Sequence, residues 1–522
     1  MSKPFQKNNH NNITQFKQFI QSNYKTVLLI TGLTLLNIFF LCWSFASNDH
    51  KFGTTFVLIL LGSILLEAIL CIIILIAKRK SWPIEKLFLI LGLIIGIVYV
   101  FALPVSRAPD GESHFFRVYE ITEGQIISDT SENGYDRGSY QASNIEIVRD
   151  FKENNVTYYD VADNLFTQAD NNNRTFIKTS ASSYNPISYA PHVIGMGIGK
   201  VLHLPFLITA YLAKLFNCIA CIIILYLCIK FLPFLKEFVF FIAFLPITMQ
   251  AMTSLSADGF ITVIAIALVS FVLYATYSLR SRFTKKHYAI ILLLCAILSV
   301  SKVVYALLCF LLFTIPKERF GGSKKKIISI FAIGGICIVI LASWLLLSAS
   351  LSGEVDPTNR DILTSNPLLY LSILLKSIST HFYLYLNGTL GGFLEWFNIT
   401  LSPLYLFPST IIFAFMCKKV HSNYSVSKSL KILSIFILIT VALLTFTTMY
   451  TQWTKPGETL IDGVQGRYFL PVLLLIPLAF TGKNKKLPSK ISPSKLKQNY
   501  PLYIFYIFES VYAITSIICY HI

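Results

Sequence analysis

The chain has 522 residues, is 54% hydrophobic and only 13% charged, a balance that excludes a soluble globular protein of this size and assigns it to the membrane class. Its net charge of +18 is unevenly placed: residues 107–184 carry 13 acids against 7 Lys/Arg, while the remainder carries 13 acids against 37. Most of those cations sit in short turns between apolar runs, the pattern of cytoplasmic membrane loops, so the basicity reads as topology and not as a nucleic-acid footprint.

In chain order, residues 1–24 are polar ("MSKPFQKNNHNNITQF") and read as a cytoplasmic segment without the features of a cleaved signal peptide. Residues 25–522 read as a single polytopic membrane domain. A helix needs about 20 apolar residues to cross the hydrocarbon core. Thirteen candidate spans follow, three of them short: 25–46, 54–77, 87–106, 207–229, 237–253, 259–279, 287–300, 302–316, 327–350, 399–416, 432–450, 468–482 and 501–520. The turns "AKRKSWPIEK", "LRSRFTKKH", "PKERFGGSKKK", "CKKVH" and "TGKNKKLPSK" all become cytoplasmic if the N-terminus is cytoplasmic, which puts the C-terminus outside.

The expected fold is therefore an all-α integral membrane bundle of about 13 spans, with a large outer loop at 107–206 between the third and fourth. The middle of that loop, "NNVTYYDVADNLFTQADNNNRTF", is Asn/Asp-rich and is expected to be partly mobile. Residues 287–316 are read as two short helices meeting at "SVSKVVY", because one continuous helix would strand a basic cluster outside. Residues 367–395, within an outer segment 351–398, are assigned to the outer surface as interfacial or re-entrant helices. "LPSKISPSK" reads as a cytoplasmic linker. The ten cysteines lie in or beside apolar runs, so they are expected to be small buried hydrophobes, with no disulfide framework and no zinc site.

Unusual polar residues collect on the outer side. "SRAPDGESHFFRVYEITEGQ" (106–125) places Asp110, Glu112, His114 and Arg117 directly after the third span. Pro109 and the Asp-Gly pair favour a turn. A helix from Glu112 would align Glu112 with Phe115 and Phe116, and His114 with Arg117. The competing reading is an interfacial helix whose charges face water. In "SSYNPISYAPHVIGMGIGKVLHLPF" (182–206), His192 precedes a glycine-spaced helix, Tyr184, Asn185 and Tyr189 suit a sugar-facing surface or an interfacial aromatic belt, and the glycines suit close helix packing. In "TSLSADG" (253–259), Asp258, aided by Ser256, reads first as a helix cap. Lys302, followed by Tyr305, is costly near a hairpin tip unless it snorkels or meets an anion such as phosphate. In "DGVQGRYFLP" (462–471), Arg467 precedes Tyr468, and its planar fork suits phosphate oxygens or lipid headgroups. Glu67 and Glu395 are also expensive placements within apolar sequence.

"PDGESHFFRVYEITEGQ", "YNPISYAPHVIGMGIG", "SLSADG", "SKVVY" and "QGRYFLP" occur in that order. Together they resemble a bacterial family of polytopic membrane proteins of unknown function that is grouped with the GT-C glycosyltransferases. The resemblance implies a GT-C-like bundle and an inverting transfer of sugar from a polyprenyl-phosphate donor to a glycan or glycolipid acceptor. It implies the outer face of the bacterial cytoplasmic membrane as the location. On this resemblance Asp110 matches the acid after the proline, His114 the following histidine, and Lys302 and Arg467 the cationic positions. The family pattern has a second acid directly after the first, where this chain has Gly111, so Asp110 and Glu112 both stand as candidate bases. Arg117 is a further candidate phosphate ligand, and Tyr184, Asn185, Tyr189, His192, Asp258, Tyr305 and Tyr468 are candidate lining residues. No cofactor is expected, and a divalent ion between Asp110 and Glu112 is not indicated. A transporter or flippase, or a polymerase or ligase for lipid-linked polysaccharide, is the alternative class.

Overall fold

The apolar runs fold as helices, the spanning form that satisfies backbone N–H and C=O groups within one segment where no water is at hand. The computed structural model describes residues 24–134, 136–348, 357–482 and 496–522. Residues 1–23, 135, 349–356 and 483–495, the last including the "LPSKISPSK" stretch, lie outside the described residues.

In chain order the helices begin with α1 (Tyr24–Ser47), α2 (Thr54–Arg79), α3 (Ile84–Ala102) and α4 (Gly111–Thr122). A small domain follows: β1 (Asp129–Thr130), β2 (Arg137–Ala142), α5 (Ile147–Glu153), α6 (Tyr158–Asn164), β3 (Arg174–Lys178) and α7 (Ala190–Val201). The chain continues with α8 (Phe206–Phe231), α9 (Lys236–Phe244), α10 (Pro246–Thr253), α11 (Ala257–Leu273) and α12 (Lys285–Ser301). Then come α13 (Ser323–Ser348), α14 (Pro357–Ser365), α15 (Pro367–Thr389), the hairpin β4 (Phe393–Leu394) and β5 (Ile399–Thr400), α16 (Pro403–Asn423) and α17 (Lys428–Gln452). The last two are α18 (Leu475–Ala479) and α19 (Leu496–Tyr520).

Among the described residues nine helices are long and apolar enough to cross a membrane, or up to eleven if each bent pair counts as one span. Three of the thirteen expected spans fall short. Run 287–300 is the 17-residue α12, and run 302–316 is a 12-residue 3-10 helix, Val303–Thr314, with Lys302 extended between them. Run 468–482 is broken into a 3-10 helix, Gly466–Val472, and the five residues of α18, with Pro471 and Pro477 removing backbone donors. Run 237–253 is bent by 70° between α9 and α10, where Pro246 cannot continue the ladder. The stretch expected to be interfacial or re-entrant, 367–395, contains the 23-residue α15, bent by 110° from the preceding helix.

The chain divides into two compact units. One consists of α1, α2 and α19. Within it Asn37 donates to Glu67 Oε1 (2.6 Å) and to the Phe508 carbonyl (3.2 Å), so the carboxylate within apolar sequence is bonded between helices. The other unit, from Pro83 onward with His521 and Ile522, contains everything discussed below.

In this second unit α8 is held by two glycine faces. A Cβ on Gly96 of α3 would lie 2.6 Å from Cys218 Sγ, and one on Gly195 of α7 would lie 2.7 Å from the Leu212 carbonyl. Gly92 with Gly96 and Gly195 with Gly199 are both small-xxx-small pairs, which let helix backbones approach closely. The packing role expected for "GMGIG" is therefore seen at Gly195 and Gly199, while Gly197 touches nothing.

The segment expected to be partly mobile is folded. Thr157 and Asp160 form a capping box on α6, and β3 completes a three-stranded antiparallel sheet ordered β1-β2-β3, pairing Tyr140 with Phe176. Gln141 of β2 donates to the Phe116 carbonyl of α4, and Thr179 donates to that of Ser113. The small domain thus encloses α4, and residues 111–120 are all buried. That overturns the reading in which the α4 charges face water.

Candidate functional site

The site begins where α3 stops. Pro104 follows the helix end, and Lys214 of α8 donates to the carbonyls of Val100 (2.7 Å) and Leu103. A cation at a helix C-terminus meets both the unpaired carbonyls and the negative end of the dipole. The chain then turns through Pro104–Pro109 into Asp110, which adopts a left-handed conformation (φ 59°). Helix α4 starts at Gly111, one residue before the expected Glu112. A Cβ at Gly111 would lie 2.7 Å from the Ser106 carbonyl oxygen, so any side chain at this position would have to displace the 106–110 turn.

Four charged side chains from distant segments meet here as an alternating chain. Arg467 Nη2 donates to Asp110 Oδ2 (3.0 Å), and Arg467 Nε lies 3.5 Å from Asp258 Oδ2. Asp258 Oδ1 in turn accepts from Lys302 Nζ at 2.6 Å. The elements that aim them are short and interrupted. Asp258 stands in the first turn of α11, Lys302 is the extended residue after α12, and Arg467 is in the first turn of the 3-10 helix after Gln465. The cap expected of Asp258 is made by Ser256, whose Oγ accepts from the Asp258 N–H, which leaves the carboxylate free for the cations.

Aromatic rings frame the chain. Lys302 Nζ lies 5.0 Å from the Tyr468 ring centre and 5.8 Å from that of Tyr184, and Arg467 lies 5.3 Å from the Tyr468 ring. Tyr305 donates its hydroxyl to the Tyr468 carbonyl (2.9 Å). The chain is not sealed: the Asp110 side chain is 35% exposed and Lys302 21%, whereas Arg467 is 7% exposed.

Behind the charges lies a layer of neutral groups. His114 Nδ1 is 2.6 Å from the Tyr189 hydroxyl, and its Nε2 is 3.3 Å from Ser256 Oγ. Burial pushes the His114 pKa down to about 4 against the pull of Asp110 and Asp258, so the ring is neutral at pH 7. Burial likewise raises the Tyr189 hydroxyl well above its usual range. His192, pushed by burial to about 3, donates from Nε2 to the Ser254 carbonyl (3.0 Å). His114 and His192 therefore brace the 254–258 turn from behind, and neither side chain bonds the Asp110 carboxylate.

Other expected site residues are used elsewhere. Arg117 is fully buried, pairs with Glu120 (3.0 Å) and donates to the carbonyls of Ile126 and Tyr184, so it holds the Tyr184 backbone and does not join the cation chain. Glu112 pairs with Lys152 (2.6 Å). Asn185 Oδ1 accepts from the Ile187 N–H and caps a 3-10 turn. A second network went unread in the sequence: Arg107 Nη2 donates to Glu395 Oε2 (2.9 Å), and His521 Nε2 lies 2.5 Å from Glu395 Oε1. The costly position of Glu395 was the available signal; its partners lie 288 and 126 residues away.

The Arg467 segment also lines an apolar groove of about 310 Å³, through Phe469, Val472 and Leu473, facing Tyr385 and Thr389 of α15 and Leu438 of α17. Thr389 Oγ1 donates to the Gly466 carbonyl (3.1 Å), so the α15 end of this groove abuts the residue before Arg467. Among the described residues no group of three or more His, Cys, Asp and Glu could hold a metal ion.

Fold and site together define a multi-pass helical membrane protein with a charged cluster set among broken helices. The chain belongs to the family described as "Predicted membrane protein (DUF2142)", which it matches over residues 93–476, the stretch that carries all four members of the charged chain. Comparison with curated proteins and with solved structures finds no match.

Proposed function

We propose that the protein is a GT-C-type inverting glycosyltransferase that moves a sugar from a polyprenyl-phosphate donor to a glycan or glycolipid acceptor at the outer face of the bacterial cytoplasmic membrane. The observation that carries this reading is the alternating chain Asp110–Arg467–Asp258–Lys302 beside an apolar groove that begins on the Arg467 segment. Cations next to an apolar groove match an amphiphile with a phosphate head, and the groove has room for the first isoprene units of its tail.

In this reading the donor phosphate competes with the two carboxylates for Arg467 and Lys302. Its arrival frees Asp110, the most exposed member of the chain, to act as base. Asp110 takes the proton of the acceptor hydroxyl as that oxygen attacks the sugar's C1, and the C1–O bond to phosphate breaks through an oxocarbenium-like state. The phosphate leaves with added negative charge, which Arg467 and Lys302 stabilise more in the transition state than in the ground state. Tyr184, Tyr468 and Tyr305 line the same space. His114 and Arg117 act as positioning residues, the first through Ser256 and the second through the Tyr184 carbonyl.

The experiment is transfer of labelled sugar from polyprenyl-phosphate-linked donors by purified protein in proteoliposomes. Wild type is expected to turn over, and Asp110→Asn to lose at least about a thousandfold, in line with removal of a general base. Unchanged turnover in Asp110→Asn would remove Asp110 from that role.

A further inference from the structure

The small domain carries an apolar surface with no protein cover. On α7 the face made by Pro191, His192, Gly195, Met196 and Gly199 is buried. The opposite face is open: Ile194 is 56% exposed, Ile198 39%, Val201 77% and Leu202, just past the helix end, 61%. Spacings of four, seven and eight residues place these side chains on one stripe. The single cation of α7, Lys200, does not interrupt the stripe. It turns to Glu123 (3.5 Å) and lies over the Tyr119 ring (3.3 Å).

A second segment adds to this surface. Phe166, 76% exposed, lies in the loop after α6. That loop is tied to the start of α8: the Phe206 N–H donates to the Thr167 carbonyl (3.3 Å), and Gln168 Nε2 donates to that of His203 (3.2 Å). Helix α8 is itself long and apolar enough to span the bilayer. Phe166 and the end of the α7 stripe are therefore both anchored where a span emerges from the membrane. Phe101 at the end of α3 is 57% exposed and stacks on Tyr211, five residues into α8 (5.8 Å), so the start of this span carries exposed apolar surface.

We infer that α7 and the 165–168 loop form a membrane-docking rim, with Ile194, Ile198, Val201, Leu202 and Phe166 inserted into the headgroup–acyl boundary of the leaflet from which α8 emerges. The occupant is the bilayer, because these exposed side chains are all apolar and are tied to the start of a span. Helix α7 runs antiparallel beside the first turns of α8, with Gly199 against Thr209 and Gly195 against Leu212, so its open stripe stands at the end of the span and not across it. The rim is also tied to the charged site. Helix α7 starts one residue after Tyr189, whose hydroxyl holds His114, and it carries His192, which holds the 254–258 turn. Docking of α7 therefore also holds the two contacts that brace the site from behind. The docking inference stands on exposure and connectivity and does not depend on the proposed reaction.

The test is photo-crosslinking in native membranes, with benzoylphenylalanine placed at Phe166, Ile198 or Val201 of the full chain. Leu227, 42% exposed on α8, serves as the lipid-facing control, and Tyr140, 47% exposed on β2, as the water-facing one. The expected result is phospholipid adducts at Phe166, Ile198 and Val201 at least fivefold above Tyr140 and comparable to Leu227. Three outcomes would overturn the inference: adducts no more frequent than at Tyr140, a crosslinked second copy of this chain, or a crosslink to another protein. Because each substitution keeps a large apolar side chain, failure to fold is checked by normal adduct yield at Leu227 in the same variant.

Discussion

Two charge networks lie in the same unit, and they differ in closure. In the Arg107–Glu395–His521 network the side chains are 3%, 0% and 0% exposed, and the charges are walled in by the β4–β5 turn and the loop after α5. In the Asp110–Arg467–Asp258–Lys302 chain the two ends are 35% and 21% exposed. The sealed network has no exposed member through which a ligand could enter, so its charges serve to join segments. The open chain ends in groups that an incoming anion or hydroxyl can reach. Similar residue types thus do different work, and exposure of the terminal members separates the two.

The sharpest way to break this comparison is Glu395→Ala. It leaves Arg107 and His521 buried without their carboxylate, and loss of one partner of a buried pair costs about 3–5 kcal/mol. Unfolding in mixed detergent should show a loss of that size, and a loss no larger than that of Asp110→Asn would erase the distinction. The next effect is pH dependence. His114 and His192 are held down to about 4 and about 3 by burial, below their ordinary value near 6.5. The unfolded chain therefore binds more protons in the window below pH 6.5. Stability is complete above that pH and falls as pH drops towards 4, by about 2 kcal/mol per histidine at pH 5. Thermal unfolding at pH 7.5 and pH 5 checks this, and His114→Gln should reduce the difference.

Gly111→Ala should cost about 1–3 kcal/mol by overpacking against the Ser106 carbonyl. It should also lower transfer by shifting Asp110, and the two losses are read by unfolding and by turnover on one preparation. The smallest stability effect belongs to Asp110→Asn. With its carboxylate about a third exposed, removing the charge should change stability by less than about 1 kcal/mol, while turnover is lost.

The sequence carried the membrane class, the positions of the nine long helices, and the segments that supply the charged chain, because hydropathy and misplaced charge are local signals. It placed the break at "SVSKVVY", where Lys302 is extended between two short helices, but not those at Pro246 and within 468–482. Whether 302–316 or 468–482 spans depends on 3-10 geometry and on Pro471 and Pro477, which run length does not register. Nor did it separate the polar residues by role. Arg117, Glu112 and Asn185 have the composition of site residues, yet their partners Glu120, Lys152 and the Ile187 N–H occupy them elsewhere. The loop expected to be mobile is ordered by the capping box at Thr157 and by strand pairing 30 to 40 residues apart in sequence, neither of which Asn/Asp content reveals. The glycine at 111 was legible only as a departure from the family pattern, and its reason is the contact with Ser106.

The central claim is that the open chain receives a lipid phosphate. The most direct measurement is binding of undecaprenyl phosphate to purified protein by native mass spectrometry, comparing wild type with Lys302→Ala and Arg467→Ala, each verified as folded by thermal unfolding. The account predicts at least a tenfold loss of affinity in both variants, with Asp110→Asn binding as well as wild type or better, since it frees Arg467 from its resting partner. Equal affinity in wild type and both cation variants would contradict it.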